Sequence, residues 1–461
     1  MQRSRALSAM DPFELKRVLR APDAAWLVAG NMFGAGIFIT PGLVAGHLPG
    51  VAWSLVAWVL GGVLALFGAS TYAELGVRIP HAGGDYQYLA SAFGPRWAFL
   101  FGWSAITLSF SAAAAVMARV ATAYVSAAIG LDAQACPLVM YLLPPIAVLV
   151  LSLVNTAGAR VGGRTTAVLT ALPVLGLVAV AGVGAGRGGV DLQPSLGWFS
   201  GPGRAWPLAF GAAMVPIFFT YSGWNAAAYL AGELKDPERS LARALLAGAA
   251  SVTIVYLVVN LTLLLVLPRE QLAGSTTAVA DAARLMIGYR AEAVLAAIIG
   301  IAVLGSANVT LMAGARIYYA MGRDGLAPAG LARVNSAGVP HTALWLGGIW
   351  TAVLALVGDV EKLVNWATLA ILLLSSLTVA SLFVLRRRDP RGALRDGFRC
   401  PGYPFVPAIY MLVSLAVALA SGIDDPVHSL IGVGIVALGL PVHALVRHTF
   451  RSGRAGGIGT V

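Results

Sequence analysis

Charge is scarce in this chain. Asp, Glu, Lys and Arg make up 11% of its 461 residues, while 58% are hydrophobic. Soluble domains carry about 25% charged residues. With a mean hydropathy of +0.81, the composition excludes a soluble globular domain and describes an integral membrane protein. Cysteine is nearly missing. Cys136 and Cys400 fall in loops expected on opposite sides of the membrane, so neither a mutual disulfide nor a redox framework is expected. The six histidines, His47, His81, His341, His428, His443 and His448, sit near span ends or in loops without zinc-ligand spacing. A phosphate-cradling G-x-x-x-x-G-K-[ST] loop is absent from the sequence, which argues against a nucleotide-driven pump. No catalytic residue, metal or cofactor is therefore expected. The first 20 residues, "MQRSRALSAMDPFELKRVLR", lack the apolar core and small-residue cleavage site of a signal peptide and read as a cytoplasmic tail. No stretch is long or polar enough for a soluble domain.

What the chain has is apolar runs of spanning length. Twelve are expected, near 24–46, 50–73, 97–125, 138–157, 165–186, 206–231, 244–267, 293–321, 341–357, 362–385, 403–422 and 427–446. The net charge of +11 follows their loops. With the N-terminus inside and Arg316 counted at the inner end of its span, inner tails and loops hold 24 Lys/Arg and outer loops 6. That is a positive-inside bias, so topology accounts for the basic balance and no nucleic-acid partner is needed. The expected setting is the cell (inner) membrane, with both termini cytoplasmic and the lipid bilayer as partner. The "RRRDPRGALRDGFRCPGYP" run is a basic inner loop. The stretch "AELGVRIPHAGGDYQYLASAFGP" is expected at the inner surface as short amphipathic helices.

Two spans contain their own breakers. The first carries "NMFGAGIFITPG", with Gly34, Gly36, Pro41 and Gly42. The sixth carries Pro216 and then Thr220, Ser222, Gly223 and Asn225. Glycine costs a helix interior about 1 kcal/mol and proline about 3. Breaks five spans apart fit two inverted five-helix repeats with a midplane site between them, because unwound backbone is tolerated at membrane depth only around protein or a cavity. Backbone N–H groups at Gly34, Ala35 and Gly36, with the half-helix dipole, favour a carboxylate. Carbonyls of Met32, Phe33, Phe219 and Thr220 favour an ammonium group. An α-amino acid carries both. Close packing or a simple kink is the structural alternative for the glycines. No ionisable residue is near either break in sequence, which favours neutral amino acids.

These residues resemble a family. "GAGIFITPG" is similar to the first-helix motif of the amino acid–polyamine–organocation superfamily, and "FFTYSGWNAAAYLAGELKDPERSLARAL" to its sixth helix and following loop. "YAELGVRIPHAGGDYQYLASAFG", "AGARIYYAMGRDGLAP" and "RCPGYPFVPAIYML" resemble its second-to-third loop, eighth helix and the start of its eleventh. The flavour is that of bacterial permeases similar to L-type and serine/threonine exchangers. The resemblance implies an all-α membrane protein of twelve transmembrane helices, a leucine-transporter-like 5+5 inverted repeat with discontinuous helices 1 and 6, and alternating access. The parts would be a tail at 1–22, repeats at 23–187 and 204–386, helices 11 and 12 at 387–448, and a tail at 449–461. Carried over by motif, the substrate contacts fall on Met32, Phe33, Gly34, Ala35, Gly36, Phe219 and Thr220. Ser222 and Asn225 join them from the sixth-span cluster. Phe219 matches a gating aromatic, with packing as the alternative; Trp224 is a second gate candidate for which packing serves equally. Glu233, Lys235 and Asp236 match a post-helix motif, as inner-gate or merely interfacial charges.

One departure matters. Relatives independent of sodium often carry a lysine in the fifth helix, and here the matching position is Pro173. The chain's three lysines, Lys16, Lys235 and Lys362, lie in tails or loops, so the usual coupling does not transfer. Proline frees the carbonyl of Leu169, four residues earlier. With Ser306, Asn308 and Thr310 of the eighth span it forms a candidate ion or water site. The expected function is secondary transport of amino acids, by symport with H+ or Na+ or by exchange for a counter-substrate. A membrane-embedded enzyme and a channel or receptor for a small zwitterion are the alternatives.

Overall fold

The computed structural model describes residues 17–158 and 206–455, apart from 49, 82, 132–135, 276, 358–359 and 390–396. The expected fifth span, with Leu169 and Pro173, lies outside the described residues. Those described are helical, and a single β-bridge, Leu19 with Leu234, is the one extended pairing among them. Among the described residues, eight helices are long and apolar enough to cross a membrane. A ninth span arises if α1 (Ala21–Met32) and α2 (Gly36–His47), bent by 42° at their break, count as one. The chain is thus an all-helical, multi-pass membrane protein.

After this broken pair come α3 (Val51–Arg78), the short α4 (Asp85–Phe93), and α5 (Pro95–Ser104), which runs through a π-helical turn at Ala105–Ser109 into α6 (Phe110–Ala128). Next are α7 (Pro137–Asn155), α8 (Trp206–Tyr221), the single turn α9 (Ala226–Tyr229) and α10 (Pro237–Val266). The remainder is α11 (Arg269–Gly274), α12 (Ala278–Ile287), α13 (Tyr289–Arg323), α14 (His341–Val357), α15 (Val360–Arg388), α16 (Phe405–Asp424) and α17 (Pro426–Ala455). Of these, α8 and α14 are apolar but shorter than a full span.

Small residues let the helices approach closely, as membrane packing requires. A Cβ on Gly62 of α3 would sit 2.3 Å from the Thr253 side chain of α10, and one on Gly300 of α13 would sit 3.0 Å from the Ala121 carbonyl of α6. Outward faces stay apolar, as at Leu412, Leu419 and Leu430, where lipid replaces water as the neighbour.

The expectation for the second-to-third connection needs correcting. It is helical in α4, but not peripheral: Asp85, Tyr86, Tyr88 and Leu89 are all buried. The cause is local. Gly84, at φ +49°, turns the chain inward against the ring of Tyr229, where a Cβ would lie 2.6 Å from the ring; only glycine adopts that backbone cheaply there. At the same end of the bundle the segment before α1 is stitched to the loop after α9. The N–H groups of Val18 and Leu19 both donate to the Glu233 carbonyl at 2.9 Å, and Lys235 N–H donates to Leu19 at 3.0 Å.

Candidate functional site

The two breaks meet. Phe33, Gly34 and Ala35 interrupt the first span, and Ser222 to Asn225 interrupt the sixth. Gly223 holds φ +96°, and a Cβ on it would lie 2.5 Å from the Asn31 amide nitrogen. Its carbonyl accepts a hydrogen bond from Asn31 Nδ2 at 3.3 Å. Gly36 lies against Thr220, where a Cβ would be 2.5 Å from Oγ1 and 2.6 Å from Cα. Thr220 Oγ1 in turn is 2.6 Å from Thr40 Oγ1 and 2.8 Å from the Pro216 carbonyl.

Neighbouring helices serve the carbonyls that the breaks release. Tyr256 Oη of α10 reaches the carbonyls of Met32 and Thr220, the latter at 3.2 Å. Ser306 Oγ of α13 reaches the carbonyls of Gly30 and Phe33, the latter at 2.6 Å. Thr310 Oγ1 donates to Asn31 Oδ1 at 2.8 Å. The Phe219 carbonyl accepts from the Ser222 N–H at 3.0 Å and hydroxyl at 2.6 Å. Broken helices persist in a bilayer only when side chains on other helices re-satisfy them, and here they do.

Beside the breaks lies a cavity of about 560 Å³, counting its open mouth. Its wall draws on both breaks (Asn31, Ser222, Gly223, Asn225), on the π-turn and α6 (Ser109, Phe110, Met117), on Thr310, on α15 through Ser375, and on Asp85 and Tyr229. π-Turns recur at functional sites because they re-aim side chains. Ser109 Oγ, on this wall, is buried with no protein partner.

Sequence reasoning and structure coincide in part. Ser222 and Asn225 line the cavity. Gly34 sits behind Met117, to which a Cβ would come within 2.9 Å, and its N–H is turned to the Met32 carbonyl at 2.6 Å. Met32, Phe33, Ala35, Phe219 and Thr220 are buried beside the cavity rather than on its wall. Trp224 packs edge-on against Tyr72 at 4.7 Å and Tyr410 at 6.0 Å. Of the oxygens proposed on the eighth span, Ser306 and Thr310 face the first break, whereas Asn308 Oδ1 accepts from Asn155 Nδ2 of α7 at 2.7 Å.

Missed altogether was a carboxyl on the wall. Asp85 is 1% exposed; Tyr229 Oη donates to its Oδ2 at 2.6 Å, and Tyr72 Oη donates to its Oδ1. Burial pushes its pKa up from the ordinary aspartate value, while the hydroxyls of Tyr229, Tyr72 and Thr378 hold it down. The signal in the sequence was the pair Gly83-Gly84 immediately before it, both with positive φ. A buried ion pair and a cluster of two arginines on one buried glutamate were also unforeseen. Arg316 Nε meets Glu233 Oε1 at 2.7 Å, and Glu74 is held by Arg78 and Arg386, each Nε at 2.9 Å, and by the Cys400 N–H at 2.8 Å.

Two broken helices meeting beside a polar-walled cavity inside a multi-pass helical bundle mark a membrane protein with an internal cavity. The chain belongs to the amino acid permease family, whose model matches residues 19–438. It is 31% identical over 408 residues to the b(0,+)-type amino acid transporter 1 of Mus musculus, covering 87% of this chain and 81% of that protein. Identity to the Asc-type amino acid transporter 1 of the same organism is 29%, over 95% and 82% of the two chains. The serine/threonine exchanger SteT of Bacillus subtilis (strain 168) is 28% identical, over 93% and 96%.

Proposed function

We propose that this chain is a secondary active transporter that carries neutral L-amino acids across the cytoplasmic membrane by alternating access. The observation that carries the reading is the meeting of the two breaks at the cavity, with Asn31 bonded to Gly223. Family membership and the relatives named as amino acid transporters support it. The architecture proposed is twelve spans in a 5+5 inverted repeat plus two helices, with both termini cytoplasmic. A substrate carboxylate would be taken by the N–H groups at the start of α2. Gly36, as its first residue, has an N–H that the helix itself does not use. The substrate ammonium would lie among the carbonyls of Met32, Phe33, Phe219 and Thr220, displacing the hydroxyls of Tyr256, Ser306 and Ser222 that now bond to them, with Ser222 and Asn225 completing the polar wall and Phe219 closing over it. Asp85 is compatible with a neutral substrate, because its oxygens are engaged by Tyr229 and Tyr72. The exchanger among the relatives supports a counter-substrate.

The test is counterflow. Protein reconstituted in liposomes and preloaded with one amino acid should accumulate the same labelled amino acid, saturably, across a panel of neutral and charged species. No counterflow for any member would overturn the transport reading. Counterflow confined to lysine or arginine would overturn the neutral assignment.

A further inference from the structure

We propose that Asp85 is the group at which a proton binds during transport, and that proton binding loosens the segment following the break in the sixth span. The inference rests on the transport reading and adds the coupling ion and its site.

The geometry is a chain of contacts leading from the cavity. Asn225, on the wall at the break, donates through Nδ2 to Tyr229 Oη at 2.9 Å. Tyr229 donates to Asp85 Oδ2 at 2.6 Å, and Tyr72 donates to Oδ1. Thr378 of α15 lies nearby, its own hydroxyl proton given to the Leu374 carbonyl at 3.0 Å. One carboxyl on α4 therefore ties together α3 and α9. The tie suits the ionised form: a carboxylate only accepts, and the Tyr229 and Tyr72 hydroxyls are both placed to donate to it. Once protonated, one of its oxygens becomes a donor, so at least one of these hydroxyls must turn round or leave. Tyr229 belongs to the four-residue turn α9, which joins the break to the 3-10 turn at Ala231–Glu233. Releasing it frees the shortest helical piece of that span.

Among the described residues, no charged group competes for Asp85. Facing Asp85 are the phenols of Tyr72 on α3, Tyr88 on α4 itself, Tyr229 on α9 and Tyr410 on α16, with the Thr378 hydroxyl on α15. The titratable groups elsewhere around α4 are engaged otherwise. Asp324, at the end of α13, bonds Gln87 at 3.5 Å, and Arg388 bonds the Ser91 carbonyl at 2.9 Å. Arg96 on α5 is exposed. Among the described residues no Lys, Arg or His pairs with Asp85. A buried carboxylate without a cation is costly, and a proton is the one cation that needs no further room. Burial also moves the group in the direction that lets it bind a proton nearer neutrality than the ordinary ~3.9.

The experiment uses the full-length protein in sealed liposomes, with three readouts. Counterflow of labelled L-serine and L-leucine at equal pH reads transport alone. Net uptake of the same amino acids under an imposed inward proton gradient reads coupling; one proton per substrate sustains about tenfold accumulation per pH unit. An infrared titration without amino acid reads the carboxylic acid C=O band directly. The wild type should accumulate substrate with the gradient and gain a carboxylic acid band on acidification. In Asp85→Asn, uptake should ignore the gradient, whatever counterflow remains, and that band should be missing. Tyr229→Phe, which removes a donor to the carboxylate, should move the band's midpoint to higher pH. Gradient-driven accumulation that survives in Asp85→Asn, or an acid band unchanged by that substitution, overturns the proposal. If neither amino acid shows counterflow in the wild type, the transport reading fails for both probes, and the infrared arm still decides whether Asp85 takes a proton.

Discussion

Substituting Gly36 by alanine tests whether the two breaks press on each other. A Cβ there would lie 2.6 Å from the Thr220 Cα, while ordinary contact begins at 3.4 Å, so α2 and α8 must part by about 0.8 Å. No rotamer of Thr220 relieves this, because the obstacle is backbone. Overpacking of this kind costs about 1–3 kcal/mol, and alanine returns up to about 1 kcal/mol through helix propensity. The net expectation is a loss of about 1–2 kcal/mol, a factor of about 5–30 in an equilibrium constant. Two assays read it. The apparent melting temperature of detergent-purified protein should fall. The thermal shift produced by a saturating amino acid should also shrink, since a ligand stabilises the state it binds. Gly36→Leu should abolish the ligand shift altogether. Wild-type melting and wild-type ligand response in Gly36→Ala would refute the contact and, with it, the start of α2 as the carboxylate site.

Other outcomes follow from the same geometry. Asp85 has a raised pKa in the folded state, so the native protein holds its proton more tightly than the unfolded chain. The contribution of Asp85 to stability is greatest below the unfolded value of ~3.9 and is lost as pH rises through the folded value. Asp85→Asn should remove that part of the slope in a melting-versus-pH series, and an identical slope would count against the buried carboxyl. Arg316→Met leaves Glu233, 3% exposed, without its partner. Breaking such a buried pair costs about 3–5 kcal/mol, and Glu233→Gln added to it should restore part of the lost melting temperature; an unshifted single variant would argue against the pair. Phe219→Ala should slow transport while ligand binding partly survives. Unchanged kinetics would leave Phe219 a packing residue.

Sequence periodicity located elements well where the apolar run ended in a strong breaker. The span read as 341–357 is His341–Val357 in the structure, and the first break falls where Gly34 and Gly36 announced it. Polar starts were less legible. The span expected from 244 begins at Pro237, because the charged residues of its first turn, such as Glu238, carry the helix beyond its apolar part. Asp85 escaped notice for a related reason. A hydrophobicity reading assigns "GGDYQY" to the surface, yet its phenols fill space between helices and its carboxylate is solvated by hydroxyls from two other segments. Nothing local encodes those partners: Tyr229 lies 144 positions away. Arg316 and Glu233 were likewise read as end-of-span charges, because a buried ion pair is a property of two distant segments and neither shows it alone.

The hydrogen bonds around the first break also impose an order of assembly. The carbonyls of Gly30, Met32 and Phe33 are met by Tyr256 and Ser306, and Leu19 is met by Leu234. Every one of these partners is synthesised after the first span has left the ribosome, Ser306 only when about two-thirds of the chain exists. A nascent first span must therefore enter the membrane with polar backbone that it cannot satisfy by itself, which is expensive in hydrocarbon. It is made before α10 and α13 and completed only with them. Until α10 and α13 arrive, it is the natural place for a quality-control protease or membrane chaperone to recognise an unfinished copy.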